Sequence, residues 1–137
     1  MDQSLPRTIL GVVAGVIAGG VIVFATEAVG HSLFPPPPAI NLADPEDVKR
    51  LMASLPAGAF AFVLAGWFLG SFAGAFVARL VAGRDSAAWA VAVLFILFTS
   101  MNFVMIPHPI WMIAAGILIP LASAWLALRL SGARERA

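Results

Sequence analysis

The sequence predicts an all-α fold: a polytopic membrane protein with four transmembrane helices in an antiparallel bundle and a short amphipathic helix between the first two. Three observations lead to this fold class. The 137 residues are 61% hydrophobic and only 11% charged, whereas about a quarter of the residues in a soluble domain are charged. Four apolar stretches each approach the roughly 20 residues that a helix needs to cross a bilayer. None of them alternates apolar with polar residues, as the strands of a membrane β-barrel do.

The apolar stretches divide the chain into spans and connections within a single membrane domain, residues 1–137. The first stretch is longer than the roughly 7–15 apolar residues of a signal peptide. No convincing cleavage site follows it, so we expect it to remain as a transmembrane helix. The four spans are predicted, in order, at residues 8–30, 57–82, 87–106 and 110–129, with a long loop at 31–56 and a tail at 130–137.

Basic residues fall mostly on one side of the predicted bundle. The side that carries the loop between spans one and two is termed the outer side, and the opposite side the inner side. Because basic residues concentrate in cytoplasmic segments, their distribution predicts that both termini are cytoplasmic. Six of the eight Lys and Arg residues lie on the inner side: Arg7, Arg79, Arg84, Arg129, Arg134 and Arg136.

The long outer loop combines a stiff segment with a short helix. Four consecutive prolines at 35–38 exclude a helix and favour an extended polyproline segment. Asp44 suits an N-cap, and Pro45 suits the first helical position. An amphipathic helix is therefore predicted from Pro45 to about Leu55, with an apolar stripe formed by Val48, Leu51, Met52 and Leu55.

Two strips of glycine at four-residue spacing are predicted to form helix-packing surfaces. Small residues at this spacing let transmembrane helices approach closely, which is the geometry of a glycine zipper. The strips either pack span one against span two within one chain or face a second copy in a homo-oligomer, and spacing alone leaves both open. Span one carries Gly11, Gly15 and Gly19, and span two carries Gly66, Gly70 and Gly74.

Glu27 is the acidic residue inside an otherwise uncharged span, and it defines the candidate site. His31 follows it at i+4 and therefore shares its helix face. Asn102 and His108 fall on the same outer side, so the four residues form a candidate polar cluster. Ionisable groups within a membrane usually pair with each other or serve transport.

Three interpretations of this cluster remain open. In the first, Glu27 pairs with His31 or accepts hydrogen bonds from Asn102, Thr99 or Ser100, which fastens span one to span three. In the second, the cluster belongs to a proton or ion pathway. In the third, it is an outward-facing metal or ligand site, although no metal-binding motif such as HExxH is present.

Composition and motifs narrow the function classes. The sequence has no cysteine and a net charge of +1, so neither a thiolate site nor a nucleic-acid partner is predicted. It contains no nucleophile elbow, phosphate-binding loop or dinucleotide fingerprint, so no enzyme activity or cofactor is predicted. We expect a structural or accessory membrane protein whose partners are the lipid bilayer and a second copy or larger complex. The alternative is a small transporter or ion-binding protein that uses the polar cluster.

Three segments carry a resemblance to a known group of proteins. They are residues 27–37 (EAVGHSLFPPP), the Asp44-Pro45-Glu46 turn, and residues 105–111 (MIPHPIW). With these segments the chain resembles, over nearly its whole length, a group of small uncharacterised bacterial four-helix inner-membrane proteins. The resemblance implies a location in the bacterial inner membrane and brings no activity with it.

Overall fold

A computed structural model describes residues 4–134 and contains five helices and no strand within that range. Four of the helices are long and apolar enough to cross a membrane, and the fifth is the short helix of the outer loop. The predicted fold class is therefore confirmed, and the four apolar helices indicate a multi-pass membrane protein. The helices are α1 (Ser4–Leu33), α2 (Pro45–Ser54), α3 (Ala57–Ala82), α4 (Asp85–Met105) and α5 (Ile110–Arg134).

Helix α1 extends beyond the predicted span 8–30 at both ends. Its first turn includes Ser4, whose carbonyl accepts a 2.7 Å hydrogen bond from the Thr8 hydroxyl. At the other end the Phe34 amide donates to the Gly30 carbonyl at 2.9 Å, which closes the last turn. Apolar composition defines the part of a helix that lies in hydrocarbon, whereas backbone hydrogen bonds continue until a residue such as Pro35 interrupts them.

The four long helices form an inner pair with one helix on each flank. Helices α3 and α4 pack against each other and against both α1 and α5. Among the described residues, no Cα atom of α1 lies within 8 Å of one in α5, and α2 makes no such contact with another helix. The side of α1 that faces away from α3 and α4 is consequently uncovered within one chain.

Small residues make up most of the buried core. One cluster joins α3, α4 and α5 through Ala75, Ala88, Ala92, Ala124 and Ala127. A second cluster lies between α3 and α4, and Val12, Val16 and Val23 of α1 pack against it. Helices with short side chains at their contacts can approach closely, which lets dispersion forces hold them together in lipid.

The glycines of both strips lie in the interface between α1 and α3. A Cβ atom added to Gly19 would lie 2.5 Å from the Gly70 carbonyl oxygen, and one added to Gly74 would lie 2.8 Å from the Gly15 carbonyl oxygen. One added to Gly11 would lie 2.8 Å from the carbonyl oxygen of Ala78. The two backbones therefore touch at these positions, with no room for a side chain between them.

A tight inner turn joins α3 to α4. Gly83 has a φ of 68° and its amide donates to the Arg79 carbonyl at 2.9 Å, so it ends α3 in the left-handed conformation that favours glycine. The Arg79 side chain then reaches the first residue of α4, with Nε 2.6 Å from the Asp85 carboxylate. This turn fixes α3 and α4 as antiparallel neighbours.

Candidate functional site

Glu27 and His31 lie on the last two turns of α1. Glu27 is partly buried and His31 is exposed, and the two residues are four positions apart on the helix. The residues just before Glu27 face α3, because Thr26 packs against Gly66 and Val23 against Gly70. Glu27 therefore lies at the edge of the helix interface, with its carboxyl group beside packed apolar groups.

Asn102 lies at nearly the same height as Glu27 but on an exposed surface of α4. The position of a Cβ on Gly15 is 3.1 Å from the Val91 side chain, and the same offset along both helices puts Glu27 level with Phe103. Phe103 is the sequence neighbour of Asn102, so this offset puts Asn102 towards the same end of the bundle as Glu27. However, the Asn102 side chain is exposed and takes part in no hydrogen bond described for residues 4–134.

His108 is held in the turn between α4 and α5 by two aromatic rings and a carbonyl. Its Nδ1 is 2.8 Å from the Ile106 carbonyl oxygen, and since a carbonyl can only accept, Nδ1 carries the proton. The Phe103 ring meets it edge-on at 5.1 Å between centroids, and the Trp67 ring lies at 6.3 Å. The imidazole is thus part of an aromatic group that joins α3, α4 and the turn.

Thr99 fastens α4 to α5 rather than to α1. Its hydroxyl lies 2.9 Å from the Phe95 carbonyl oxygen within α4 and 3.3 Å from the Gly116 carbonyl oxygen of α5. The expectation that Thr99 could donate a hydrogen bond to Glu27 is therefore wrong. The physical reason is helix phase: Thr99 is on the face of α4 that contacts α5.

The four residues of the candidate cluster share one end of the molecule without direct bonds among them. Within residues 4–134 no hydrogen bond or ion pair joins Glu27, His31, Asn102 or His108 to one another. The same part of the chain holds no group of three or more His, Asp or Glu side chains placed to bind a metal ion. In this geometry the cluster offers separate polar groups at an outer surface.

Two buried serines, Ser123 of α5 and Ser71 of α3, were not singled out from the sequence. The Ser123 hydroxyl donates to the Phe68 carbonyl at 3.2 Å. The Ser71 hydroxyl is fully buried and has no hydrogen-bond partner. Serines are frequent at contacts between transmembrane helices, which is the one signal in the sequence that could have indicated them.

The chain has no significant match among protein-family models, curated proteins or solved structures.

Proposed function

We propose that the protein is a non-enzymatic structural or accessory component of the bacterial inner membrane, with Glu27, His31, Asn102 and His108 forming a polar, outward-facing end. This proposal rests on the hydrogen bonds of the polar side chains in and beside the spans, which go to backbone carbonyls of the protein. Thr99 and Ser123 bond to backbone carbonyls of neighbouring helices, and His108 bonds to the carbonyl of Ile106. These bonds hold helices and a turn in position, which is a structural use of polarity.

The interface between α1 and α3 supports the same structural proposal, and we interpret its glycine contacts as a glycine zipper. Its backbone contacts hold one face of α1, and the opposite face of α1 contacts no other helix among residues 4–134. That opposite face is a continuous apolar surface and is suited to lipid, a second copy or a helix of a larger complex. Its exposed side chains include Ile9, Val13, Ile17, Val21 and Phe24.

The orientation in the membrane is part of the proposal and has its own test. We expect a phosphatase reporter that is active only in the periplasm to be inactive when fused after Ala137, because the basic inner side remains cytoplasmic. The matched control is the same reporter inserted in the outer loop after Ala39, which should be active. Activity of the Ala137 fusion would reverse the proposed orientation.

A small ion transporter is the second candidate, because the partly buried Glu27 carboxyl lies within an apolar helix. Under the structural proposal, Glu27→Gln leaves proton and cation flux into liposomes unchanged. It alters the free energy of unfolding by no more than about 0.5 kcal/mol, the size of an i,i+4 pair on a helix. Fluorescent dyes inside the liposomes report the flux.

Glu46→Gln is the control for this comparison, because Glu46 is an exposed acid of α2 outside the spans. Flux in the wild-type protein that disappears with Glu27→Gln and persists with Glu46→Gln would replace the structural proposal by the transport one.

A further inference from the structure

A basic cleft opens at the inner side, between the start of α1 and the turn from α3 to α4. Its volume is about 610 Å³. The cleft has a charged part at the level of the turn and an apolar part that continues along the helices. The charged part is lined by Arg7, Gly83 and Arg84, and the apolar part by Pro6, Leu10 and Ala82.

The guanidinium group of Arg7 is fixed against the end of α3. Its Nε donates to the Val81 carbonyl at 2.9 Å, and its Nη2 lies 3.9 Å from the position that a Cβ on Gly83 would occupy. A guanidinium carries five N–H groups in a rigid plane. The Nε–H group bonds to the Val81 carbonyl. This bond orients the guanidinium and leaves its terminal N–H groups available.

Arg84 supplies a second guanidinium group at the same cleft. It precedes α4 as the N-cap residue and its side chain makes no capping hydrogen bond. Within residues 4–134 it takes part in no ion pair. Arginine binds phosphate more effectively than a point charge does, because its fork of donors matches two phosphate oxygens.

The local carboxylate does not neutralise this pair of arginines. Asp85 is the one acidic residue at the inner end of the described chain, and its carboxylate is bound to Arg79 at 2.6 Å. The charges of Arg7 and Arg84 therefore add in the cleft, and the cleft attracts anions.

The apolar part of the cleft leads onto an uncovered stripe of α1. Leu10, Val13 and Ile17 follow at helical spacing on one face, and they are 61%, 50% and 62% exposed. A ligand that fills both parts needs a phosphate group at the level of the turn and a hydrocarbon chain that runs along α1. We propose that the cleft binds an anionic phospholipid, with its phosphate between Arg7 and Arg84 and an acyl chain along this stripe.

Native mass spectrometry of the full-length chain in detergent tests this site. The protein is titrated with phosphatidylglycerol and, separately, with phosphatidylcholine of the same acyl chains. Phosphatidylglycerol should bind more tightly, and each of Arg7→Gln and Arg84→Gln should weaken its binding about fivefold, as expected for one arginine at a membrane surface. The double variant should weaken it more than either single variant does, by at most about twenty-fivefold.

Arg129→Gln is the matched control, because it removes one positive charge from α5 on the inner side. Its guanidinium lies over the Trp125 ring at 4.4 Å, and within residues 4–134 no Cα atom of α5 lies within 8 Å of one in α1. This variant should retain the wild-type affinity. Arg84→Gln removes no hydrogen bond described for residues 4–134, so it tests the site even where Arg7→Gln reduces folding through the lost bond to Val81.

Four outcomes would overturn the proposal. They are an unchanged affinity in the double variant, equal binding of the two lipids, equal losses with Arg129→Gln and Arg84→Gln, and full displacement of the lipid by millimolar glycerol phosphate. The last result would assign the cleft to a soluble phosphate compound instead of a lipid.

Discussion

Gly15→Ala is expected to lower the free energy of unfolding by about 1–3 kcal/mol, the usual range for overpacking a close contact. The added methyl group would meet the Gly74 carbonyl oxygen and lie 2.9 Å from the Ala78 Cβ. A backbone atom and a Cβ cannot rotate away, so α1 and α3 have to separate. That separation weakens the dispersion contacts on both sides of the substituted residue.

Gly20→Ala is the matched control in the same helix. Nothing lies within 4 Å of the position of its Cβ, so the substitution keeps the contact with α3 and gains helix propensity. We expect no loss of stability there, and a gain of up to about 1 kcal/mol. Unfolding of the purified variants in mixed micelles with increasing denaturing detergent measures both changes. Equal stability of Gly15→Ala and Gly20→Ala would mean that the close approach of α1 and α3 is not what holds them together.

Trp67→Ala should cost about 2–3 kcal/mol of the free energy of unfolding. This is below the roughly 3–5 kcal/mol of the same change in a soluble core, because lipid replaces water as the solvent of the unfolded helices. Trp67 is 6% exposed and meets the Phe103 ring edge-on at 5.7 Å. Its loss leaves a cavity between α3 and α4 and removes one wall from the imidazole of His108.

Trp89→Ala is the control for this substitution, because Trp89 is 39% exposed on α4 and should cost much less. The same detergent titration gives the free energies. Near-ultraviolet circular dichroism reports whether the remaining aromatic rings keep a fixed packing. If Trp67→Ala and Trp89→Ala are equally mild, the group of Trp67, Phe103 and His108 does not stabilise the fold.

The fold could be predicted because lipid imposes a strong and simple constraint. A backbone inside hydrocarbon must satisfy its own hydrogen bonds, so each long apolar stretch becomes a helix. The N-cap of α2 was also predictable from the sequence. The Asp44 side chain accepts a 3.0 Å hydrogen bond from the Glu46 amide, as its position before Pro45 suggests. The ends of α1 were harder to predict from the sequence, because the helix continues past the apolar residues to Leu33.

The candidate site could be predicted only in part. The sequence indicates how far along a span a residue lies, but not which neighbouring helix its side chain faces. Counting residues along the spans predicts that Glu27 and Asn102 lie on the same outer side. Whether a side chain points to α1, α5 or the surface depends on how each helix is rotated, and no spacing rule gives that rotation. Thr99 therefore turned out to face α5, and His108 depends on the shape of a turn between two prolines.

The glycine contacts between α1 and α3 also fix the position of α1 along α3. They recur every four residues at Gly11, Gly15 and Gly19, and each meets a carbonyl on α3. Sliding α1 by a single residue would press larger side chains such as Val12 and Val16 onto those carbonyls, so intermediate positions are excluded. The height of Glu27 along α3 is consequently set by residues that lie several turns away from it and carry no charge at all.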